Sequence, residues 1–484
     1  MKAGRAVSCA SGFSFQRVMQ VIFKPVTQRD LSRLRRYYKD CNYGLCEYSA
    51  MVKLMWRVHL HPAWAEAAGC LIVTNLIDGE IYFDYPVPGP DGDEDAALDA
   101  IERWCTETGT PLKISVVPAA KAPRLLARYP RAYVRNLRNW RDYVYDAASF
   151  RDFPGRHYAG QRNHINKFRA ACPDAAFRVL GKADRALVEA FFAAYRNDAK
   201  QGEKALRDLD LAEKMIGLLG SPHLLWGGME RGGALLSVAM GERCGDTISI
   251  HVERALAAVP GVYPATAQAF ARQFAVEGVR WLNREDDADD KGLRTSKLQY
   301  RPAFLAEKYC FEVENELYAL KRIPTLQTER LTLAPLREED KAAYNRLCLD
   351  DQRNRWWGYD YRTDWKGEPL EDYFLNVTRE DFRAHTAVNF GVYRDGAFIG
   401  EAVFYRFNGR GEAELGCRIL PEYAGNGYGT EAFAAAADWG LYELQLAAVV
   451  AKCYKENAAS QRMLSACMRR TGEDGTFYYF RKES

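Results

Sequence analysis

The chain has 484 residues, which at roughly 150 residues per domain predicts about three domains. Hydrophobic residues make up 48% and charged residues 27%, and no run approaches the roughly 20 apolar residues that span a bilayer, so an integral membrane protein is excluded and a soluble, cytoplasmic one expected. Sixty-seven basic residues against 64 acidic leave a charge of +3, too balanced for a chain that coats nucleic acid or anionic lipid; any such contact is a local patch.

Residues 1–20 carry Lys2 and Arg5, but Ser8, Ser11, Ser14 and Gln16 interrupt any apolar stretch, so the segment reads as a loose extension and not as a secretory signal. Twelve cysteines are scattered singly from Cys9 to Cys467, without a CxxC pair or a His/Cys cluster at zinc spacing, which predicts reduced thiols, no disulfides and no metal.

One supersecondary pattern then occurs three times: two strands around a tight glycine turn, a further strand or loop, a helix and another strand. In the first, Cys70 to Asn75 and Ile81 to Val87 flank Asp78-Gly79, Asp95 to Thr108 is a helix stopped by Gly109, and Pro111 to Val117 is a buried strand. In the second, Leu224 to Glu230 and Ala234 to Glu242 flank Gly232-Gly233, followed by a strand from Thr247 to Glu253, a helix from Tyr263 to Glu277 and a strand from Val279 to Asn283. In the third, Asn389 to Arg394 and Ala397 to Phe407 flank Asp395-Gly396, then come a strand from Ala413 to Leu420, a helix from Thr430 to Tyr442 and a strand from Ala447 to Cys453. The turn glycines at 79, 232 and 396 are about one domain length apart. Asp146 to Gly155 and Ile323-Pro324-Thr325 mark short linkers, giving modules at 21–150, 151–322 and 325–484, the first two as a tandem. The expected fold class is α/β (α+β), three modules each with a mixed, mainly antiparallel sheet flanked by helices.

Chemistry is most legible where the third strand runs through Ile419 and Leu420 into Pro421-Glu422-Tyr423-Ala424-Gly425-Asn426-Gly427-Tyr428-Gly429-Thr430 and an Ala-rich helix. Glycines let a backbone approach closely, and amides at a helix N-terminus direct partial positive charge at an anion such as a pyrophosphate; a glycine-rich connector is the plainer reading. Thr328-Glu329-Arg330-Leu331, Glu414-Leu415-Gly416, the Gly425 to Thr430 loop and Asn457-x-x-Ser460 together resemble the ribosomal-protein N-terminal acetyltransferase branch of the GNAT superfamily, over about Pro324 to Ser484.

That resemblance implies acetyl-CoA as cofactor. Its pyrophosphate would be held by Gly425, Asn426, Gly427, Tyr428, Gly429 and Thr430, with Ile419 on the adjoining strand and Asn457 and Ser460 beside the pantetheine and thiol. Glu414 would be the base for the amine proton, with Glu412 as fallback. Three departures stand out: Ala424 replaces the Arg or Gln frequent at the loop start, Cys467-Met468 stands where Gly-Phe is usual, and Leu464 occupies the place of the tyrosine that often acts as acid, leaving Ser460 or water. Trp357 and Tyr359, within Arg355 to Tyr361, form either an acceptor-pocket wall or core packing.

The tandem unit carries Gly155-Arg156-His157-Tyr158-Ala159-Gly160-Gln161-Arg162-Asn163-His164-Ile165-Asn166-Lys167-Phe168, then Asn283-Arg284-Glu285-Asp286 and Gly292-Leu293-Arg294-x-x-Lys297-Leu298-x-Tyr300-x-Pro302. These motifs resemble the phosphatidylglycerol lysyltransferase C-terminal domain family from roughly Phe23 to Glu314, which implies two GNAT-like folds in tandem; the best-known members move an aminoacyl group from tRNA to a lipid.

Arg156, His157, Arg162, His164, Lys167 and Arg169 form a basic patch, either a contact for tRNA or other phosphates or a solvated helix face. Asp286, Asp287, Asp289, Asp290, Arg294 and Lys297 put both charge signs in one loop after a strand end, which is either a cleft for an amino-acid-like ligand, with Glu285 among its candidate binding residues, or an ion-pair network. His251 and Glu253 share a strand face, as a base for an amine or as structural hydrogen-bonding groups. The equivalent loops Pro260-Gly261-Val262-Tyr263-Pro264 and Pro86-Val87-Pro88-Gly89-Pro90 lack the glycines and donors of a pyrophosphate cradle.

The expected protein is thus an acyltransferase for groups other than aminoacyl ones, acetylating the amine of a small molecule, peptide or protein N-terminus. Its tandem unit binds substrate or acts as a second acyl or aminoacyl transferase. The alternatives are an aminoacyl-tRNA-dependent transferase at the tandem unit and a non-catalytic, degenerate binding protein.

Overall fold

The computed structural model describes residues 21–197, 203–357, 365, 367 and 369–483, so the N-terminal extension and Tyr359 lie outside the described residues. The described residues build three eight-stranded sheets, mostly antiparallel and flanked by helices. Each contains one parallel strand pair, and each pair is bridged by a helix. Glu80–Asp84 pairs with Lys113–Pro118 across helix Glu94–Thr108, Thr247–Ala255 with Trp281–Asn283 across Val262–Phe274, and Glu412–Ile419 with Ala448–Tyr454 across Tyr428–Tyr442.

The three expected hairpins are present. Ile77 pairs with Glu80, Arg231 with Ala234 and Arg394 with Ala397, so each turn has two residues. Both turn residues have positive φ in every case: Asp78 and Gly79 (53° and 84°), Gly232 and Gly233 (58° and 81°), and Asp395 and Gly396 (49° and 82°). Such turns match the right-handed twist of the flanking strands, and only glycine and short polar residues tolerate them.

The strand pairing does not follow a division at residue 150. Asp142–Asp146 lies in the second sheet between Trp281–Asn283 and Phe304–Ala306, whereas Lys308–Glu312 returns to the first sheet between Lys113–Pro118 and Tyr133–Arg135. The stretch Asp146 to Gly155, read as a linker, contains the short helix Ala147–Asp152. Composition marks where a chain turns; it does not record which sheet the next strand joins.

The crossing is stitched by a buried ion cluster. Lys308 Nζ lies 2.6 Å from both Asp142 Oδ1 and Glu47 Oε1. Asp142 also accepts the backbone N–H of Cys46 at 2.9 Å and the Asn283 amide at 2.8 Å. Lys308 and Asp142 are fully buried, so the carboxylate's lost hydration is replaced by protein donors. One apolar core unites the first sheet with Val188, Phe191, Trp226, Val238 and Met240 of the second unit, while the third sheet has its own core around Phe390, Phe404, Phe433 and Phe480. Among the described residues no helix is long and apolar enough to cross a membrane.

The third unit docks on the first through the loop after Ala397–Tyr405. Arg410 forms ion pairs with Glu102 (3.0 Å) and Asp99 (3.5 Å) of helix Glu94–Thr108. A Cβ on Gly409 would stand 2.3 Å from Val313 and 3.0 Å from Tyr129, so only glycine fits there.

Replacing Lys308 by Met leaves the buried Asp142 and the partly buried Glu47 without a counter-charge. The expected cost is about 3–5 kcal/mol, read as a lower denaturant midpoint for the transition that unfolds the tandem unit, with partial recovery in a Lys308→Met/Asp142→Asn double variant.

Candidate functional site

Glu412–Ile419 and Ala448–Tyr454 are parallel partners only from Glu412↔Ala448 to Glu414↔Val450. Beyond that, residues up to Ile419 stay paired with Ala397–Tyr405, and residues up to Tyr454 with Phe477–Glu483, so the two strands diverge and a wedge opens. Helix Tyr428–Tyr442 starts at the open end, because Leu420 leads into the glycine loop there.

Gly425 and Gly427 have φ of 83° and 79°, conformations that glycine alone adopts without strain, and residues 425–427 are exposed. Among the described residues no acceptor meets the N–H groups of Gly425, Asn426 or Gly427. Those of Tyr428, Gly429 and Thr430 are in the first helical turn, where no intrahelical carbonyl precedes them; the first such bond runs from Glu431 N–H to Gly427 O at 3.1 Å.

The loop is held from behind. Asn426 Nδ2 donates to Tyr423 O and Ala424 O, both at 3.2 Å. Arg330 donates to Asn426 O at 3.1 Å, pairs with Glu431 at 2.6 Å and lies over the Tyr428 ring. Ile419 is buried behind the helix start, 3.5 Å from where a Gly429 Cβ would lie.

Glu414 sits at the last paired position before the wedge, and both its oxygens meet donors: Tyr405 Oη at 2.9 Å and Arg406 Nη1 at 2.9 Å. Glu412, the fallback, is engaged by Arg481 at 2.8 Å and Asn408 at 2.9 Å. On the face of Glu414, Trp357 covers Gly416, whose Cβ would stand 2.7 Å from the indole, and the Arg418 guanidinium lies 4.6 Å from the same ring. Trp357 therefore packs on this strand beside the wedge. Asn457 caps helix Ala458–Cys467 by accepting Ser460 N–H at 3.1 Å, and Leu464 is buried in the core. Arg406 and Lys452 were not singled out by sequence; a lysine inside the apolar run Ala448 to Cys453 was the available signal.

The tandem unit contains a separate cavity of about 740 Å³ at the start of helix Val262–Phe274, lined by His164, His251, Glu253, Glu285 and Lys297 among others. His251 Nδ1 lies 2.9 Å from Glu285 Oε1, and its Nε2 lies 3.3 Å from Ser49 Oγ, whose hydroxyl is directed at Glu242. Glu253 pairs with Arg284 at 2.7 Å; the Arg284 guanidinium is stacked 4.6 Å from the Tyr300 ring. Arg284 is the residue that sequence reasoning passed over.

Lys297 donates to the carbonyls of Arg284 (2.6 Å), Glu285 (3.3 Å) and Asp286, so it ties down the loop that presents Glu285 at a positive φ of 60°. Burial, helped by Arg284, pulls the Lys297 pKa below its ordinary value. Arg162 and Arg294 do not line this cavity. Arg162 donates to the carbonyls of Phe153 and Gly155, and Arg294 grips Asp287 at 2.8 and 2.9 Å and Asp289 at 3.0 Å. A Cβ on Gly261 would stand 2.0 Å from His164 O, so the helix start here is covered by backbone where the third unit's is open. Cys46, Glu47 and Asp142 place ligand atoms within 4.8 Å of one another, but the cation among them is Lys308, 2.6 Å from each carboxylate.

Residues 28–312 match the model of the phosphatidylglycerol lysyltransferase C-terminal family. The chain belongs to that family. The match ends on the last residue of Lys308–Glu312, the strand that closes the first sheet, so the lysyltransferase C-terminal unit comprises both sheets together. Residues 330–467 match the acetyltransferase (GNAT) domain. Two Bacillus subtilis (strain 168) proteins, each named as an uncharacterized N-acetyltransferase, are similar to the C-terminal region. YnaD is 34% identical over 105 residues, 20% of this chain and 62% of that protein, so the chain spans less than two thirds of its length. YoaA is 25% identical over 146 residues, 29% of this chain and 80% of that protein. A solved structure of a protein of unknown function from Bacteroides thetaiotaomicron VPI-5482 shares the fold, with a TM-score of 0.52 and 24% identity, over 60% of this chain and 99% of that one.

Arg294, with Tyr143, holds the Asp287 carboxyl well below the usual carboxylate range, its own burial pulling the other way. A depressed folded-state pKa stabilises fully above the unfolded value of about 3.9, and the contribution fades as pH falls below it. The difference in thermal midpoint between wild type and Asp287→Asn is therefore expected to be full at pH 7 and to shrink on acidification, as read by calorimetry in a pH series.

Proposed function

We propose that the C-terminal domain is an acetyl-CoA-dependent N-acetyltransferase for the amine of a small molecule, peptide or protein N-terminus. What carries this reading is the open wedge beside a helix start whose first-turn amides, with those of Gly425 to Gly427, are free to receive an anion. The donor set fits a pyrophosphate: the loop is exposed, and a Cβ on Gly425 would meet nothing within 4 Å. The amides of residues 425–430 would hold that group, with Asn457 and Ser460 further along. Bound acetyl-CoA supplies an acyl group already activated as a thioester.

Glu414 takes the proton of the acceptor amine, directly or through one water, while Tyr405 and Arg406 fix the carboxylate's orientation. Trp357 supplies a rigid apolar wall that excludes water from the acceptor side. Leu464 has no proton to give, which leaves Ser460 or water as the acid.

A second reading concerns the tandem unit: aminoacyl transfer from tRNA, or binding of an amino-acid-like group. It is favoured by the cavity in which the His251–Glu285 and Glu253–Arg284 pairs bring both charge signs together. Arg156, His157, Lys167 and Arg169 are exposed on or beside helix Ala159–Ala171, where phosphates could reach them.

Calorimetric titration of acetyl-CoA is expected to give one site, lost in Gly427→Trp; a folded wild type without binding would sink the C-terminal reading and favour a degenerate binding protein. Once an acceptor is found, Glu414→Gln is expected to lower kcat/KM about 10²-fold or more with acetyl-CoA affinity unchanged. For the second reading, filter binding of tRNA should weaken steeply with salt, and more so than in a variant with Lys167 and Arg169 neutralised.

A further inference from the structure

Strand Ala448–Tyr454 places Val449, Ala451 and Cys453 in the core, on the side covered by helix Tyr428–Tyr442. Val450 is the register partner of Glu414 and so shares its face; Lys452, two residues on, lies on that same face, just past the point where the strands part. Lys452 is half-buried and sits 5.1 Å from the centre of the Phe477 ring. Among the described residues no carboxylate or other acceptor lies within hydrogen-bonding or ion-pair distance of its Nζ. Lys341, Lys455 and Lys482 of the same domain all have carboxylate partners. Burial draws the Lys452 pKa down; Glu414 opposes this, Arg406 adds to it, and Asp474 and Glu107 oppose it more weakly, with the result below the ordinary lysine value. A neutral amine thus becomes more accessible beside a carboxylate at the mouth of the wedge.

We propose that Lys452 is itself an acetyl acceptor of the C-terminal domain, its amine taking the acyl group from a CoA thioester held at the Gly425 to Thr430 loop. This rests on the reading of that loop as an acyl-CoA site. The neutral Nζ uses its lone pair to form the C–N bond to the carbonyl carbon as the C–S bond breaks, its electron pair leaving with sulfur. One amine proton passes to Glu414, directly or through water, and ends on the departing thiolate, so the products are an N-acetyl-lysine and free CoA thiol. The modified side chain has lost its charge and gained bulk on the acceptor side, which makes the reaction self-limiting and slows transfer to other amines.

The full-length protein is incubated with acetyl-CoA and followed by intact-mass spectrometry and peptide mapping. One acetyl group at Lys452 is expected, at a first-order rate independent of protein concentration and suppressed by excess CoA. In Lys452→Arg that group should be lost while calorimetric acetyl-CoA binding is retained. A wild type that binds acetyl-CoA yet leaves Lys452 unmodified overturns the proposal, as does acetylation spread over exposed lysines and insensitive to competing CoA. Absence of acetyl-CoA binding overturns the underlying reading and this proposal together, and the calorimetry tells that case from the first.

Discussion

Lys308 cross-links two sheets that exchange strands and share an apolar core. Its ammonium lies between the carboxylates of Asp142, on a strand of the second sheet, and Glu47, in the segment between helices Leu31–Tyr38 and Ala50–Met55. Burying this many charges is tolerable only because each is answered, and the answer has a geometry: Asp142 also takes the Cys46 amide and the Asn283 side chain. Asn283 immediately precedes Arg284, Glu285 and Asp286, which line the tandem cavity, so the stitch between sheets also fixes the origin of the polar groups around that cavity.

The same logic of answered charge distinguishes the two candidate sites. In the tandem unit Arg284 and Glu253 pair with each other, Glu285 meets His251 and Lys297 is held by backbone carbonyls, while Glu253 Oε1 and Arg284 Nη1 stay buried without a hydrogen-bond partner among the described residues. Among the described residues, the C-terminal loop instead leaves a row of backbone amides without an acceptor, and Lys452 faces an aromatic ring and no acceptor. Arg406 links this region to the rest of the molecule. It grips Glu414 and also lines a small cavity of about 120 Å³ against the first unit, beside the Gly409 and Arg410 contacts. The carboxylate's orientation in one domain therefore depends on a loop seated on another.

How much of this could be read from sequence depended on whether the cause was local. The Asp-Gly and Gly-Gly turns declare themselves because few residues accept two successive positive φ values, and the glycines at 425 and 427 are legible for the same reason. The helix read as Asp95 to Thr108 was bounded by Gly109, at φ 66°, while its start at Glu94 is set by Asp93, which caps it through Asp95 and Ala96 N–H. The exchange of Asp142–Asp146 and Lys308–Glu312 has no local cause, since each strand's pattern is compatible with either sheet. Nor could spacing reveal that Arg294 serves Asp287, or that Arg284 is the partner of Glu253: these pairings exist only once the strand and its following loop have been folded back.

The returning strand has a further consequence, in time. Lys308–Glu312 fills the gap between Lys113–Pro118 and Tyr133–Arg135, and it is made only after Phe304–Ala306, the last strand of the second sheet in chain order, has been synthesised. Chains usually fold domain by domain from the N-terminus as they leave the ribosome. Here the first sheet must wait, with an unfilled slot and two open strand edges, until every strand of the second has been made, so the two halves mature as one event and the C-terminal domain emerges onto a surface that has only just formed.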